Sequence, residues 1–426
     1  MTRTRTDRRK FLTLAAAASA AAVSAPRVHA QAAGPRIVVI GGGFGGASCA
    51  RALKRANARL AVTLVEAHGT YTACPMSNAV IAGLRDLELQ RFGYDGLRRD
   101  GIEVVTAEAR VVDPTAKSVM LADGRRLAYD RLVISPGIDF RASALAGYDA
   151  VAAERMPHAF RDGEQVALLA RQLDAMQDGG LVVVSVPVTP ARCPPAPYER
   201  ASLIAHYLKT KKPRSKVMVL DAKDTFSMQR QFQAAWRELY EGVLEWVPLS
   251  SGGVLISVEP ATNTLITDFD KYQAAVANVI PPQRAGRLAD IAGVADRTGW
   301  CPVDPVTFES KLMPAIHVIG DAAIAGAMPK SASAAASQGA ICAGAIVALI
   351  DGATPPAPTI ASACYSLVAP DYAISLTGTY RPSGDQYLEV EGGGAASQPD
   401  APPAARAREA RDGEAWFARI TREVFG

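Results

Sequence analysis

The stretch from Arg36 to Glu66, RIVVIGGGFGGASCARALKRANARLAVTLVE, constrains the fold more than any other part of the chain. The apolar, β-branched run Arg36–Ile40 predicts a buried parallel strand. A G-x-G-x-x-G turn follows, then a helical pattern over Ala47–Ala56 and a second strand at Leu60–Val65. This order predicts a dinucleotide site, where glycines let the backbone approach a pyrophosphate at a helix N-terminus.

The same stretch supplies the first candidate cofactor-binding residues. Glu66 stands twenty residues past the last glycine, the spacing of the acid that takes ribose hydroxyls. The other candidates belong to the turn and are Gly41, Gly43, Phe44 and Gly46. A G-x-G-x-x-G alone is a weak signal, whereas strand, glycines, helix, strand and acid in this order are a strong one.

Length and charge narrow the class of protein further. A chain of 426 residues, 49% hydrophobic and 21% charged, is long enough for two or three domains with ample cores. The formal charge of +4 arises in the first 30 residues, and the rest holds 40 basic and 41 acidic residues. No basic patch favours nucleic acid, and no run approaches the length of a transmembrane segment.

Residues 1–30 have the pattern of an export signal. The run DRRKFL at 7–12 resembles a twin-arginine motif, Leu12–Ser24 is a short apolar core, and Val28-His29-Ala30 offers a small-residue cleavage site. The twin-arginine route carries folded proteins, which suits a chain that takes up its cofactor in the cytoplasm. We therefore expect a periplasmic mature protein, in a compartment where disulfides persist.

A second α/β unit follows the first. Leu181–Val186 is a buried strand, Tyr198–Lys209 a crossover helix and Lys216–Leu220 the next strand, which is βαβ topology. Its first turn, PVTPARCPPAP at 187–197, carries no glycine fingerprint. Because proline lacks the N–H that a phosphate needs, this turn disfavours a nicotinamide cofactor.

Two later turns complete the candidate cofactor residues. Gly137 ends the strand DRLVISPG, and Gly320-Asp321 ends a strand predicted at Ala315–Gly320. In FAD reductases with two dinucleotide domains, similar turns close the first FAD segment and hold the ribityl chain. We expect an α/β protein with two Rossmann-like domains of the glutathione reductase type and a small C-terminal domain. The expected parts are an FAD domain in two segments, 34–150 and 286–353, a second domain at 151–285, and a flavin-covering or partner-binding domain at 354–426.

The C-terminal part is predicted to be only partly ordered. Gly392–Arg408 is rich in Gly, Ala and Pro and is predicted to be a mobile loop. A short helix with one apolar face is predicted at Gly413–Val424.

None of the six cysteines has metal-ligand spacing, and C-x-x-C-H is absent, so the sequence predicts neither a metal site nor a haem on this chain. Cys49 and Cys342 lie in small-residue helical patterns and are predicted to be packing residues, and Cys301 is predicted to be structural. The other three lie in predicted loops or at element edges. Six cysteines permit fifteen full pairings, among which the sequence does not choose.

Several long motifs resemble the flavoprotein subunit of flavocytochrome c sulfide dehydrogenase over essentially the whole mature chain. They are GGGFGG (41–46), YTACPMSN (71–78), CPPAPYER (193–200), NVIPPQ (278–283), GWCPVDPVTFES (299–310), CYSLVAPDY (364–372) and the C-terminal WF…FG. These motifs are far more specific than the glycine turn.

The resemblance implies a site and a reaction. Cys74 would carry FAD through a thioether, and Cys193 and Cys364 would form a redox-active disulfide beside the flavin. Glu199 would handle the proton of hydrogen sulfide. Electrons would pass to a haem on a separate c-type cytochrome subunit, with which the chain would form a heterodimer.

Residue by residue, plainer interpretations stay open. Cys74 is alternatively a free thiol in a loop. A Cys193–Cys364 disulfide alternatively has only a structural role. Cys193 precedes a helix predicted to begin near Pro197, where a thiolate is favoured. Glu199, in the first turn of that helix, is favoured by the dipole in any case.

Three other functions also stay open. Sulfide:quinone oxidoreductase shares the architecture and a cysteine pair, but it needs a membrane-facing quinone pocket. An NAD(P)H-linked reductase is opposed by the proline-rich turn. An accessory flavoprotein of a thiosulfate-oxidising system is similar in sequence, and kinetics with sulfide alone would separate it.

Overall fold

The computed structural model describes residues 34–141, 144–161 and 163–426, so the predicted export signal lies outside the described residues. The helices there are α1 (Phe44–Ala56), α2 (Ser77–Ile81), α3 (Asp95–Arg99), α4 (Gly163–Ala175), α5 (Ala196–Lys211), α6 (Gln229–Leu239), α7 (Leu288–Ile291), α8 (Ala332–Ile350) and α9 (Pro403–Phe425). The strands are β1 (Arg36–Ile40), β2 (Ala61–Glu66), β3 (Tyr71–Thr72), β4 (Arg91–Phe92), β5 (Glu103–Thr106), β6 (Ala109–Asp113), β7 (Ser118–Leu121), β8 (Arg126–Ala128), β9 (Arg131–Ile134), β10 (Ile138–Phe140), β11 (Leu181–Val186), β12 (Lys216–Asp221), β13 (Leu244–Val247), β14 (Leu255–Glu259), β15 (Thr264–Thr267), β16 (Lys271–Gln273), β17 (Val276–Val279), β18 (Gln283–Ala285), β19 (Cys301–Pro302), β20 (Ile316–Val318), β21 (Ala323–Ile324), β22 (Ile360–Ala369), β23 (Tyr372–Ser383), β24 (Gln386–Glu389) and β25 (Ala395–Ala396).

The first parallel sheet has the strand order β20-β9-β1-β2-β5. Its strands are nearly continuous apolar runs, and Ile37, Val39 and Leu64 are fully buried. Strand β20 comes from the far side of the second α/β unit, so two distant segments build one sheet. Strands β6, β7 and β8 form an antiparallel meander, and Asp123-Gly124 lies in the turn between β7 and β8.

Helices α1 and α8 pack closely through small residues. A Cβ on Gly339 would lie 2.3 Å from the carbonyl oxygen of Gly45, so only glycine allows this approach. Cys49 and Cys342 are fully buried here, which confirms their predicted packing role. Helix α8 is long and apolar enough to cross a membrane, so the expectation that no run reaches that length is wrong. Core helices of globular proteins share this length and composition, and eight of the 19 residues of α8 are buried.

The second parallel sheet has the order β13-β12-β11-β17 and confirms a second Rossmann-like unit. Helix α5 crosses over between β11 and β12, and it begins two residues before the predicted helix and ends two residues after it. A small antiparallel sheet, β14-β15-β16, follows. The α/β class with two dinucleotide-type domains is thereby established, while the domain boundaries given above stay predictions.

The C-terminal part is more ordered than its composition suggested. Strands β22, β23 and β24 form an antiparallel sheet, and β25 pairs with β23 inside the segment predicted to be a mobile loop. Helix α9 begins at Pro403, ten residues before the predicted helix, because proline suits a first helical turn and the alanines that follow favour the helix. The loop prediction is therefore wrong for β25 and for residues 403–408, which are helical.

Candidate active site

The glycine turn has the geometry of a nucleotide cradle. Gly41 has φ of 103°, and a Cβ there would lie 2.2 Å from the carbonyl oxygen of Ser135. A Cβ on Gly46 would lie 1.9 Å from the carbonyl oxygen of Gly41. Side chains are thus excluded from the turn, and Gly43 stands at the N-cap of helix α1.

Glu66 and Phe44 flank this turn. One Glu66 carboxylate oxygen accepts a hydrogen bond from the backbone N–H of Gly42 at 2.6 Å, which places the acid at the turn as the sequence predicted. Phe44 is the first residue of α1 and packs edge-to-face on Phe425, with ring centroids 5.5 Å apart. The end of helix α9 therefore lies against the turn.

Gly137 and Gly320 both adopt left-handed backbone conformations, with φ of 63° and 75°. Beside them, Asp321 accepts a hydrogen bond from Arg192 Nε at 2.7 Å through one carboxylate oxygen. The other oxygen, Oδ1, is buried without a partner. An orphaned acceptor suits a ribityl hydroxyl, so the residues of this site fit FAD.

Arg192 contacts both Asp321 of the candidate flavin site and Cys74. Its Nη1 lies 3.3 Å from Cys74 Sγ and 2.8 Å from the carbonyl oxygen of Phe160. Its backbone N–H donates to Gln283 Oε1 at 2.7 Å, which holds the arginine in place. Arg192 was missed in the sequence because nothing distinguishes it from a surface arginine except its position before Cys193.

The structure brings Cys193 and Cys364 together. Both are thiols here, and a hydrogen bond to Cys364, together with burial, raises the pKa of Cys193 well above its usual value. The expectation that the helix N-terminus favours a Cys193 thiolate is therefore wrong for this state. Cys364 lies within strand β22 rather than in a loop, opposite Leu376 on β23. Both cysteines line a cavity of about 30 Å³.

Glu199 lies next to this pair. It is 7% exposed, and it accepts hydrogen bonds from the backbone N–H of Leu367 at 3.2 Å and from Asn78 Nδ2 at 3.2 Å. Burial raises the pKa of Glu199 to about 7, although both hydrogen bonds and the Arg200 guanidinium lower it. A group that titrates near neutrality can both accept and release a proton.

Asn78 and Arg200 support Glu199, and both were missed as functional residues. Asn78 Oδ1 accepts from Arg200 Nε at 3.0 Å while its amide nitrogen donates to the glutamate. Arg200 is 2% exposed and also donates to the carbonyl oxygens of His158 and Ala159. Asn78 is the last residue of the motif YTACPMSN, and Arg200 is the last residue of CPPAPYER. These two residues form one hydrogen-bond network with Glu199.

The acid at the end of β12, in the second α/β unit, is not free to bind a ribose. Asp221 ends β12, where nicotinamide-binding domains use an acid for ribose hydroxyls. It is fully buried, and Tyr198 and Trp246 both donate to Oδ2, at 2.6 Å and 3.0 Å. Lys223 Nζ lies 2.6 Å from Oδ1. Both oxygens are therefore engaged within the protein.

The fold and the site define a flavoprotein oxidoreductase with two dinucleotide-type domains. Residues 166–281 match the family described as "Sulfide dehydrogenase [flavocytochrome c] flavoprotein chain, central", and residues 356–425 match "Flavocytochrome c sulphide dehydrogenase, flavin-binding". Residues 35–184 match "Pyridine nucleotide-disulphide oxidoreductase". The chain belongs to the family of sulfide dehydrogenase [flavocytochrome c] flavoprotein chains, and a flavin is its cofactor.

Individual relatives agree with this assignment. The sulfide dehydrogenase [flavocytochrome c] flavoprotein chain of Chlorobaculum thiosulfatiphilum is 53% identical over 45 residues, which span 11% of this chain and 94% of that sequence. The mitochondrial sulfide:quinone oxidoreductase of Mus musculus is 23% identical over 315 residues, 71% of this chain and 69% of that one. The solved sulfide:quinone oxidoreductase of Aquifex aeolicus has a TM-score of 0.71 at 17% identity, with 91% of this chain and 92% of that chain covered, and it shares the fold.

Proposed function

We propose that this chain oxidises sulfide in the periplasm as the flavoprotein subunit of a flavocytochrome c-type sulfide dehydrogenase. One arrangement carries the proposal: two cysteines from distant segments meet at a small cavity beside a buried glutamate that titrates near neutrality. Bound FAD would accept two electrons from this site and release them singly. Asp321, Glu66 and the glycine turn would hold it.

The chemistry of the pair begins with a disulfide between Cys193 and Cys364. Hydrosulfide attacks one of its sulfurs, the S–S bond breaks, and a persulfide and a thiolate result. A second hydrosulfide or polysulfide anion then takes the outer sulfur of the persulfide at the oxidation level of elemental sulfur. The two cysteine thiolates that remain would pass two electrons to the bound FAD as the disulfide forms again. Each hydrosulfide ion thereby gives up two electrons and one proton, and Glu199 accepts the proton.

The cavity beside both cysteines is large enough for hydrosulfide. About 30 Å³ of space lies against Cys193 and Cys364, and a site for one water needs roughly 10–15 Å³ by the same measure. Prolines 194 and 195 form part of its wall, together with Ser227, Ser331, Ser362 and Thr377. Cys193 also lines a larger cavity of about 280 Å³. Hydrosulfide, the smallest thiolate-like nucleophile, suits the smaller cavity.

Cys74 would attach the FAD covalently through a thioether. An exported protein cannot replace FAD that it loses outside the cytoplasm, so a covalent link has a clear advantage. Electrons would leave to a haem on a separate c-type cytochrome subunit, because the sequence has no C-x-x-C-H for a haem of its own.

Sulfide:quinone oxidoreductase is the second candidate, because the chain resembles two such proteins over most of its length. The apolar face predicted for the C-terminal helix is a candidate surface for docking to a membrane. In helix α9, Trp416, Phe417, Ile420 and Phe425 are buried against the rest of the protein, so this face is already occupied. Reduction of cytochrome c compared with a quinone analogue by the pure protein separates the two functions.

The Cys193→Ser variant tests the proposal. We expect an unchanged oxidised flavin spectrum and no sulfide-driven reduction of cytochrome c. Cys301→Ala is the matched control, since it removes a buried thiol outside the cysteine pair and should leave turnover intact. Sulfide turnover retained by Cys193→Ser would exclude the disulfide from the mechanism.

A further inference from the structure

Cys74 differs from the other cysteines in its contact with a buried cation. Its Sγ lies 3.3 Å from Nη1 of Arg192, a residue 118 positions away in the chain. The Arg192 side chain is only 14% exposed. A charged hydrogen-bond donor held this close to a sulfur, and largely out of water, fixes the direction in which the Cys74 side chain points.

The same arginine contacts the residue expected to hold the flavin. Its Nε donates to Asp321 Oδ2 at 2.7 Å, while Asp321 Oδ1 stays buried and unpaired. Arg192 therefore touches the thiol and the ribityl-binding carboxylate with different nitrogens of one rigid guanidinium. This geometry needs a planar fork, which lysine lacks.

Two further hydrogen bonds hold Arg192 in place. The Gln283 side chain accepts from its backbone N–H, and the Phe160 carbonyl oxygen accepts from Nη1 at 2.8 Å. The attachment reaction needs a thiolate that is already oriented, because the thiolate and not the thiol is the nucleophile.

We propose that Arg192 is the positioning residue for covalent flavin attachment, holding the Cys74 sulfur oriented beside the bound FAD. The inference rests on the covalent link proposed above. In the reaction, a C–S bond forms to a methyl carbon of the flavin ring, and a C–H bond of that methyl group breaks. The proton goes to solvent and the electron pair stays in the ring, which is left reduced by two electrons. Dioxygen or the cytochrome acceptor then reoxidises it.

The test measures covalent flavin, not turnover. Full-length chain carrying Arg192→Gln or Arg192→Lys is harvested at matched early times after expression, and the flavin that stays attached after acid denaturation is quantified by protein mass and in-gel fluorescence. Loss of a hydrogen bond to a charged group predicts attachment roughly tenfold to a hundredfold slower in Arg192→Gln. Arg192→Lys keeps the charge and should fall between Arg192→Gln and wild type.

Controls separate this inference from the proposed function. Arg161→Gln removes a half-exposed arginine near the site, paired with Asp139, and should attach flavin at the wild-type rate. Should Arg192→Gln fail to fold, the comparison of Arg192→Lys with wild type decides. Wild-type attachment rates in both Arg192 variants would overturn the inference alone. Flavin fully released from wild type by acid would overturn the covalent link and the inference together.

Discussion

Glu199 offers the sharpest test of the proposed chemistry, because one substitution has two measurable consequences. Burial raises its pKa from 4.5 to about 7, against the opposing effects of Leu367, Asn78 and Arg200. Since a pKa difference of one corresponds to about 1.4 kcal/mol, the ionised glutamate costs the folded chain about 3 kcal/mol. Glu199→Gln keeps the shape of the side chain and removes the titration.

The effect on activity follows from the ionised form. Only the carboxylate can take the proton of the substrate, so the contribution of Glu199 should be greatest above about pH 7 and fall about tenfold per pH unit below it. A general base contributes roughly a hundredfold or more, so wild type should exceed Glu199→Gln by that factor at high pH and approach it near pH 5. Taking the ratio of the two rates removes the pH dependence of sulfide itself.

The contribution of Glu199 to stability changes with pH in the opposite direction to its contribution to activity. The folded-state pKa of Glu199 lies above its unfolded value, so the native chain binds the extra proton between about pH 4.5 and pH 7. The free energy of unfolding of wild type relative to Glu199→Gln should therefore be greatest below about pH 4.5 and decrease by about 3 kcal/mol as pH rises through 7. Denaturant unfolding across this range measures it.

Both measurements can refute the reasoning. A rate ratio that does not change with pH would remove Glu199 as the proton acceptor. A stability difference that is constant with pH would show that the carboxylate is solvated in the folded chain, contrary to the burial described above.

Three further predictions concern other parts of the protein. Gly339→Ala should destabilise the chain by about 1–3 kcal/mol in thermal unfolding, because the added methyl meets the Gly45 carbonyl, whereas Gly344→Ala on the open face of the same helix should be neutral or stabilising by up to about 1 kcal/mol; equal effects would contradict the close packing. Cys74→Ala should still bind FAD but release all of it in acid, and a flavin adduct retained in the denatured-protein mass would place the link elsewhere. NADH should leave the flavin oxidised in an anaerobic titration, because the Asp221 carboxylate is fully engaged; rapid bleaching would revive a nicotinamide-linked function.

The proline-rich turn at 187–197 and the buried Asp221 both disfavour nucleotide binding in the second α/β unit. The sequence showed that the turn lacks N–H groups for a phosphate, and the structure adds that the acid of the next strand is buried under Tyr198, Trp246 and Lys223. The same turn contains Arg192 and Cys193. The turn where a nucleotide would otherwise bind forms part of the wall of the cysteine site in this chain.

Local pattern was enough to predict the two Rossmann-like units, because glycine turns, β-branched strands and helical periodicity are properties of short segments. Arg36–Ile40 and Leu181–Val186 have the predicted bounds as strands. The error at the C-terminus had a local cause too: alanine and proline favour a loop by composition, but proline at the first turn of α9 and burial of its apolar face favour a helix.

The sequence alone determined which residues are candidates for the site. They are the glycines of a nucleotide turn, Glu66 for ribose hydroxyls, and cysteines within motifs of one family. Only the tertiary structure decided which of them meet. Cys193 and Cys364 lie far apart in the chain, and Asn78 and Arg200 acquire a role only when α2 and α5 bring them to Glu199. The physical reason is that a pKa near 7 or an oriented thiol depends on burial and on partners from distant segments, and no local pattern specifies either.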